Sequence, residues 1–360
     1  MKHKDRFLAA LAGQQPDRVP MFDFLFQQPL YEALIGRRPE TYNAEDVVAC
    51  ALALNHDAVW LRLQPPDGWQ ARRLDDTSYV DEWGTTFLRS DSSWPFDAPV
   101  DYPIRGRAEL ARYRLPDPTL PGRTADLARF WRLAHDDLAL TAGVSGPFTR
   151  AWHLLGYEGI CYTLYDDPGL LVEVLRLSVE YAKEMARRCA AEGCHAIWLM
   201  EDLGDNSRGF MKPAHFAEYY FPYLADLVGS MAELRLPIIL HSDGHIADYL
   251  PLLAQTKIAA IHPWQRTAGM DLRWAKENYG QRFCIIGNVD SSRTLPFGTP
   301  ADVAMEVPEA IDIAAPGGGY VLASDHSLHD GIPVANAIEL FRAGHAYGER
   351  FYGQADPRER

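Results

Sequence analysis

The chain has 360 residues, longer than a typical single domain but within the range of an α/β barrel with insertions, and 47% of them are hydrophobic, enough for a large core. Thirty-five Lys and Arg stand against 49 Asp and Glu, and the resulting net charge of -14 repels polyanions, so nucleic acid is not an expected partner. The five cysteines (Cys50, Cys161, Cys189, Cys194 and Cys284) form no Cys-x-x-Cys pair and are odd in number, so neither a disulfide framework nor a thiolate zinc cluster is indicated, and a reducing cytoplasm fits.

The first residues, Met1 to Leu11, turn polar again by Gly13-Gln14-Gln15, too early for a secretory apolar region, and no later apolar run approaches membrane-spanning length. The sequence therefore predicts a cytoplasmic protein without membrane contact. Eight strand candidates follow: Arg18 to Phe24, Ala58 to Leu63, Leu138 to Ser145, Ala196 to Glu201, Pro237 to His241, Ala259 to His262, Phe283 to Asn288 and Tyr320 to Ser324. Helix-period stretches separate them. The clearest is Pro168 to Glu192, where Leu170, Leu171, Val174, Leu175, Leu177, Ser178, Tyr181 and Met185 keep i, i+3, i+4 spacing. Strand and helix alternate throughout, which argues for parallel βα units, and eight strands predict a (β/α)8 TIM barrel spanning 1–360 as one domain. The stretch 64–124 is too long for an ordinary βα loop. Within it Tyr79 to Phe87 has partial alternation, so an inserted hairpin covering the barrel mouth is expected, while Gln354 to Arg360 reads as a frayed end.

In such barrels the reactive groups gather at the carboxyl ends of the strands. Those positions hold Asp23, Arg62, Ser145, Glu201 with Asp202, His241 with Asp243, His262, Asn288 with Asp290, and Asp325 with His326. The segment Ile238-Ile239-Leu240-His241-Ser242-Asp243-Gly244 is the most telling, because residues i and i+2 of an extended chain point the same way and bring an imidazole and a carboxylate together. Plainer roles compete at each position. Asp243 and Asp290 suit helix caps, His262 suits a core histidine bonded to backbone, and Glu201 with Asp202 suits a solvated loop pair. Imidazole and carboxylate without thiolate fit a divalent metal, zinc and equally manganese, iron or nickel. His241, Asp243 and His326 would supply three ligands, and Glu201 or His262 a fourth. Without metal, the same groups would do acid–base work, with a histidine as the proton donor. Trp60, Trp83, Phe87, Trp94, Phe96, Trp152 and Trp264 fall near the predicted mouth. Aromatic walls suit a large flat ligand, and Trp60, Arg62, Trp83 and Trp264 are the candidates to contact it.

Taken in order, Arg18-Val19-Pro20, Ser145-Gly146-Pro147-Phe148-Thr149, His241-Ser242-Asp243-Gly244, Gly287-Asn288-Val289-Asp290 and Gly318-Gly319-Tyr320 through His326 to Ile332-Pro333 form a pattern along the whole chain. By these motifs the chain resembles the uroporphyrinogen decarboxylase superfamily, which includes the cobalamin-dependent methyltransferases acting on methyl-corrinoid proteins. The resemblance implies a (β/α)8 barrel with a single deep cleft, and a monomer or homodimer. It departs from the true decarboxylases at three places. Met21 to Gln28 lacks their arginine-rich segment, His153 stands where a tyrosine is expected, and Leu61-Arg62-Leu63-Gln64 offers no aspartate. The methyltransferase branch is nearer, since it holds a metal by a histidine, the residue two further on and a residue at the eighth strand, positions occupied here by His241, Asp243 and His326. Carboxylate and imidazole replace two cysteines of the thiol-methylating members, which implies a harder Lewis acid. The resemblance thus implies a metal-dependent methyltransferase or demethylase working with a corrinoid on a partner protein, with Glu201, His326 and His153 as candidate catalytic residues. A carboxy-lyase acting on a tetrapyrrole or smaller acid is the alternative, and a barrel that binds a tetrapyrrole or corrinoid without turnover is the third.

Overall fold

In the computed structural model, which describes residues 1–89, 94–134 and 137–353, a parallel sheet of seven strands organises the chain. Numbering strands along the sequence, β1 is Leu25–Phe26, β2 Ala58–Arg62, β3 Arg72–Arg73, β4 Ser78–Val80, β5 Thr86–Leu88 and β6 Ala98–Asp101. They continue with β7 Ala139–Ser145, β8 Ala196–Met200, β9 Ile238–His241, β10 Ala260–His262, β11 Cys284–Ile286, β12 Tyr320–Val321 and β13 Leu328–His329. The large sheet runs β12-β11-β10-β9-β8-β7-β2, every pair parallel. Its strands are short, nearly all-apolar and buried, as a parallel sheet covered on both faces requires.

The first predicted strand is the one that departs most from the reading. Residues Arg18 to Phe24 form no regular strand; Met21 bridges Leu322, the Phe22 amide donates to the Leu322 carbonyl at 3.1 Å, and the Asp57 amide donates to the Met21 carbonyl at 2.9 Å. The irregular segment therefore touches both β12 and the start of β2, and β1 then pairs with β13. A buried ionic cluster holds it there. Asp57 accepts from Arg6 Nη1 at 2.6 Å, from Arg18 Nη1 at 2.9 Å and from the Met21 amide at 2.8 Å, so ion pairs replace part of the missing ladder.

The stretch after β2 carries more structure than a hairpin. Strands β3 to β6 form a separate antiparallel sheet, with Tyr79 opposite Phe87. Its central turn is fixed by Asp81, whose carboxylate accepts the amides of Trp83 and Thr85, both at 2.9 Å. After β7 come two long helices, Pro147–Asp166 and Pro168–Ala191, and the second starts as the sequence predicts, with Pro168 at its first position and the Asp167 carboxylate accepting the Leu170 amide at 3.2 Å. Residues 354–360, read as a frayed end, lie outside the described residues.

Inside the main sheet Phe22, Phe24 and Trp198 pack with ring centroids 4.9 to 5.3 Å apart. Each such buried ring contributes about 1.5–3 kcal/mol. Phe24 also lies edge-on to His241 at 5.4 Å and to His262 at 5.2 Å, so the apolar core forms a rigid floor directly under the two imidazoles.

Candidate metal centre and cleft

β9 delivers His241, and the two residues beyond it carry the chain to Asp243 on the same side. Register then adds a third group. Met200 of β8 lies opposite His241, so Asp202, two residues on, faces Asp243, and the Asp243 amide donates to Asp202 Oδ1 at 3.4 Å. His241 Nε2 stands 3.7 Å from Asp202 Oδ1 and 3.8 Å from Asp243 Oδ2. Asp202, His241 and Asp243 each offer a donor atom, and these atoms lie within 4.8 Å of one another.

His326, arriving from the loop after β12, places Nε2 3.0 Å from Asp243 Oδ2 and Nδ1 2.7 Å from Ser327 Oγ. The two segments singled out in the sequence thus meet in space. Beneath them, His262 Nδ1 stands 2.9 Å from His241 Nδ1, the arrangement by which an outer imidazole orients an inner one and leaves its Nε2 facing the carboxylates.

The residues present fit a divalent cation. Asp243 Oδ1 is buried without a hydrogen-bond partner, and a buried carboxylate oxygen left unpaired is costly unless something binds it. The donor set is nitrogen and oxygen only, as expected for zinc, manganese, iron or nickel. Electrostatics follow the geometry. Burial opposes charge on Asp243, but the imidazoles of His326 and His241 overcome it and hold the carboxyl well below its usual range. For His326 burial lowers the pKa, while the charge and hydrogen bond of Asp243 raise it, with a net rise to about 9. Asp202 is pushed up by burial and by the neighbouring Asp243 charge, and burial keeps His262 neutral.

Glu201 occupies a different position from the one expected for a fourth ligand. Its oxygens accept the amides of Phe148 and Thr149 at 2.8 Å each, and the Tyr220 hydroxyl also donates to it. The carboxylate therefore caps the helix beginning at Pro147, and burial raises its pKa to about 7. A Cβ on Gly146 would lie 2.4 Å from this carboxyl carbon, so only glycine fits there. Asp202, grouped with Glu201 in the sequence as a solvated pair, is the acid that faces His241. Its signal was the parallel register of β8 and β9, which a single sequence does not display.

These groups border a cavity of about 790 Å³. Trp60, Arg62, Trp83 and His153 all line it, as do Phe87, Trp94, Phe96 and Trp152. His153 lies edge-on to Phe87 at 5.6 Å, and burial, aided by the Arg150 charge, lowers its pKa to about 3. Trp264 requires correction as a ligand-contact residue. It is 1% exposed, its indole N–H donates to the Ile261 carbonyl at 3.0 Å, and it does not line the cavity; the turn after β10 drives it into the core.

The family model described as uroporphyrinogen decarboxylase (URO-D) matches residues 97–347, well over half of the chain. The chain belongs to the uroporphyrinogen decarboxylase family. Among this family's curated members, it is 27% identical to uroporphyrinogen decarboxylase of Anaeromyxobacter dehalogenans, over 95% of this chain and 99% of the relative. It is also 29% identical to the methylcobamide:CoM methyltransferase MtbA of Methanosarcina acetivorans, over 51% of this chain and 54% of the relative. A solved structure described as a methyltransferase from Methanosarcina mazei matches with a TM-score of 0.72 at 22% identity, covering 96% of this chain and 99% of the other, which establishes a TIM-barrel-like fold. Relatives in this family are thus enzymes of two kinds, decarboxylases and methyltransferases. Among the described residues no helix is long and apolar enough to cross a membrane.

Proposed function

We propose that this member of the family is a metal-dependent methyltransferase or demethylase that moves a methyl group to or from a corrinoid carried by a partner protein. The observation that carries this reading is the convergence of Asp202, His241 and Asp243, with His326 beside Asp243, in the lining of one aromatic-walled cavity. His241 and Asp243 would hold the cation with Asp202 or His326, zinc being the first candidate and manganese, iron or nickel the others. A bound cation would supply Lewis acidity toward a methyl donor or acceptor atom. His262 orients His241, and Phe24 fixes both rings from below. Tyr79 and Phe87 of the small antiparallel sheet β3 to β6 line the cavity, so this sheet would cover the mouth of the barrel and exclude water from the cleft, and Trp60 and Trp83 offer flat apolar surface to the ligand. Likeness to the MtbA relative supports corrinoid chemistry.

Elemental analysis of protein purified without added metal tests this. About one equivalent is expected in the wild-type chain, with near-total loss in His241→Ala at an unchanged melting profile. Absence of metal from wild-type protein after incubation with each of the four cations would defeat the reading.

A carboxy-lyase is the second reading. Its support is His326, which at a pKa of about 9 is protonated at neutral pH and suited to deliver a proton. Release of carbon dioxide from a tetrapyrrole acid by metal-stripped protein would select it.

A further inference from the structure

One stretch of the cavity wall is built by a side chain from the neighbouring strand. The inward face of β7 reads Thr141, Gly143 and Ser145, of which Gly143 and Ser145 line the cavity while Thr141 is buried and its hydroxyl accepts the Trp198 indole N–H at 2.9 Å. At Gly143 the strand carries nothing. A Cβ there would stand 2.6 Å from Trp60 Nε1, 2.8 Å from Cζ2 and 2.9 Å from Cε2, so no side chain fits unless the indole moves. Trp60 belongs to β2, where it pairs with Thr141, and its ring leans two residues along the strands to cover Gly143. Positions 60 and 143 therefore share one volume, and the large ring on β2 fills the place that a side chain on β7 would take.

Shape alone holds that ring. Phe24 and Phe26 meet it edge-on at 5.3 and 5.8 Å, Tyr42 lies at 5.6 Å and Phe96 at 6.4 Å, while the Tyr42 hydroxyl donates to the Trp60 carbonyl at 2.9 Å. The indole N–H is buried without a hydrogen-bond partner, so no polar contact anchors the ring against displacement. With aromatic neighbours already packed around it, a group added at 143 would drive the indole toward the open space of the cavity. In sheet order β8 separates β7 from β9, so this wall and the Asp202, His241 and Asp243 cluster border the same cavity from different strands.

We propose that the Trp60 ring seated on bare Gly143 is the size-determining wall of the cleft, fixing how wide a planar apolar ring system the ligand can carry. The proposal rests on the methyl-transfer reading only in taking this cavity as the ligand site, and it requires no metal. Trimming the ring widens the wall, filling position 143 narrows it, and making both changes restores the width, because the added methyl occupies what the smaller ring vacates.

Isothermal titration of the intact protein with 2-naphthol and phenol, one fused pair of rings against a single ring, reads the wall directly. Gly143→Ala should weaken 2-naphthol by roughly tenfold or more and phenol by less than about threefold, the scale of overpacking by one methyl group. Trp60→Phe should raise the preference for 2-naphthol over phenol by about threefold or more, through the extra apolar contact the wider site allows. The double variant Gly143→Ala/Trp60→Phe should bring that preference back to within about threefold of wild type. Thermal melting of each variant accompanies the titrations; if Gly143→Ala does not fold, Trp60→Phe and the double variant decide. An equal loss for both probes in Gly143→Ala, no gain for 2-naphthol in Trp60→Phe, a double variant that binds no better than Gly143→Ala, or no binding of either probe to wild type at millimolar concentration would overturn the proposal. Metal content reports separately on the methyl-transfer reading, so either idea can fail while the other stands.

Discussion

Replacing His262 by phenylalanine probes the layer beneath the candidate centre. The wild-type contact is a 2.9 Å approach of Nδ1 to His241 Nδ1. For His241 to offer Nε2 to a cation, its Nδ1 must carry the proton and donate it, so neutral His262 acts as acceptor and holds its own proton on Nε2, the buried nitrogen without a partner. Phenylalanine keeps the ring volume against Phe24 and Trp198 but removes the acceptor. Loss of such an outer partner costs about 10- to 100-fold in metal affinity, or roughly 1.4–2.7 kcal/mol. Apoprotein stability should move less, because the variant also deletes the unsatisfied Nε2 and so recovers part of the lost hydrogen bond. Competition titration of zinc against a chromophoric chelator measures the affinity directly, and thermal melting of the metal-free protein measures the second quantity. An affinity within twofold of wild type, in protein whose His241→Ala counterpart has lost the metal, would refute the orienting role of His262.

Other expectations concern the fold that carries the site. Asp57→Asn leaves Arg6 and Arg18 buried without their shared carboxylate, at a cost of about 3–5 kcal/mol. With an unfolding entropy near 2 cal/mol/K per residue over 360 residues, Tm should fall by about 4–7 °C in calorimetry, and a shift under 1 °C would mean the cluster is not holding the first segment in place. Asp23 accepts the Ser324 amide at 2.8 Å and the Ser324 hydroxyl at 3.0 Å, yet burial pushes its pKa up to about 7. The folded chain then holds a proton that the unfolded chain releases near pH 4, so this group's stabilisation is complete below about pH 4 and declines as pH rises to 7, by at most about 4 kcal/mol. The difference in Tm between wild type and Asp23→Asn should therefore change between pH 5 and pH 8, in the direction that disfavours wild type at the higher pH; parallel curves would contradict the burial argument.

Most strands were legible in the sequence because a buried parallel strand writes itself as a short run of β-branched and aliphatic residues, and β8 and β9 need no tertiary information to be seen. The pairing of His241 with Asp243 was legible for a similar reason, since a two-residue spacing at a strand end fixes a shared direction. What the sequence could not display was which side chains from separate strands share a neighbour. Asp202 and Glu201 are adjacent in the chain, but the β8 and β9 register turns one toward His241 while the amides opening the Pro147 helix claim the other. Trp264 and Trp83 look alike in composition, yet the turn after β10 buries the first and the antiparallel sheet presents the second to the cavity. The first strand failed as a regular element because its stability comes from an ionic cluster contributed by residues 6, 18 and 57, an interaction set by folding and absent from any local pattern. Local periodicity thus determined the elements and their reactive endings. Only the packing of the strands side by side decided which endings meet, because distances between them depend on strand order and register, quantities that no single segment encodes.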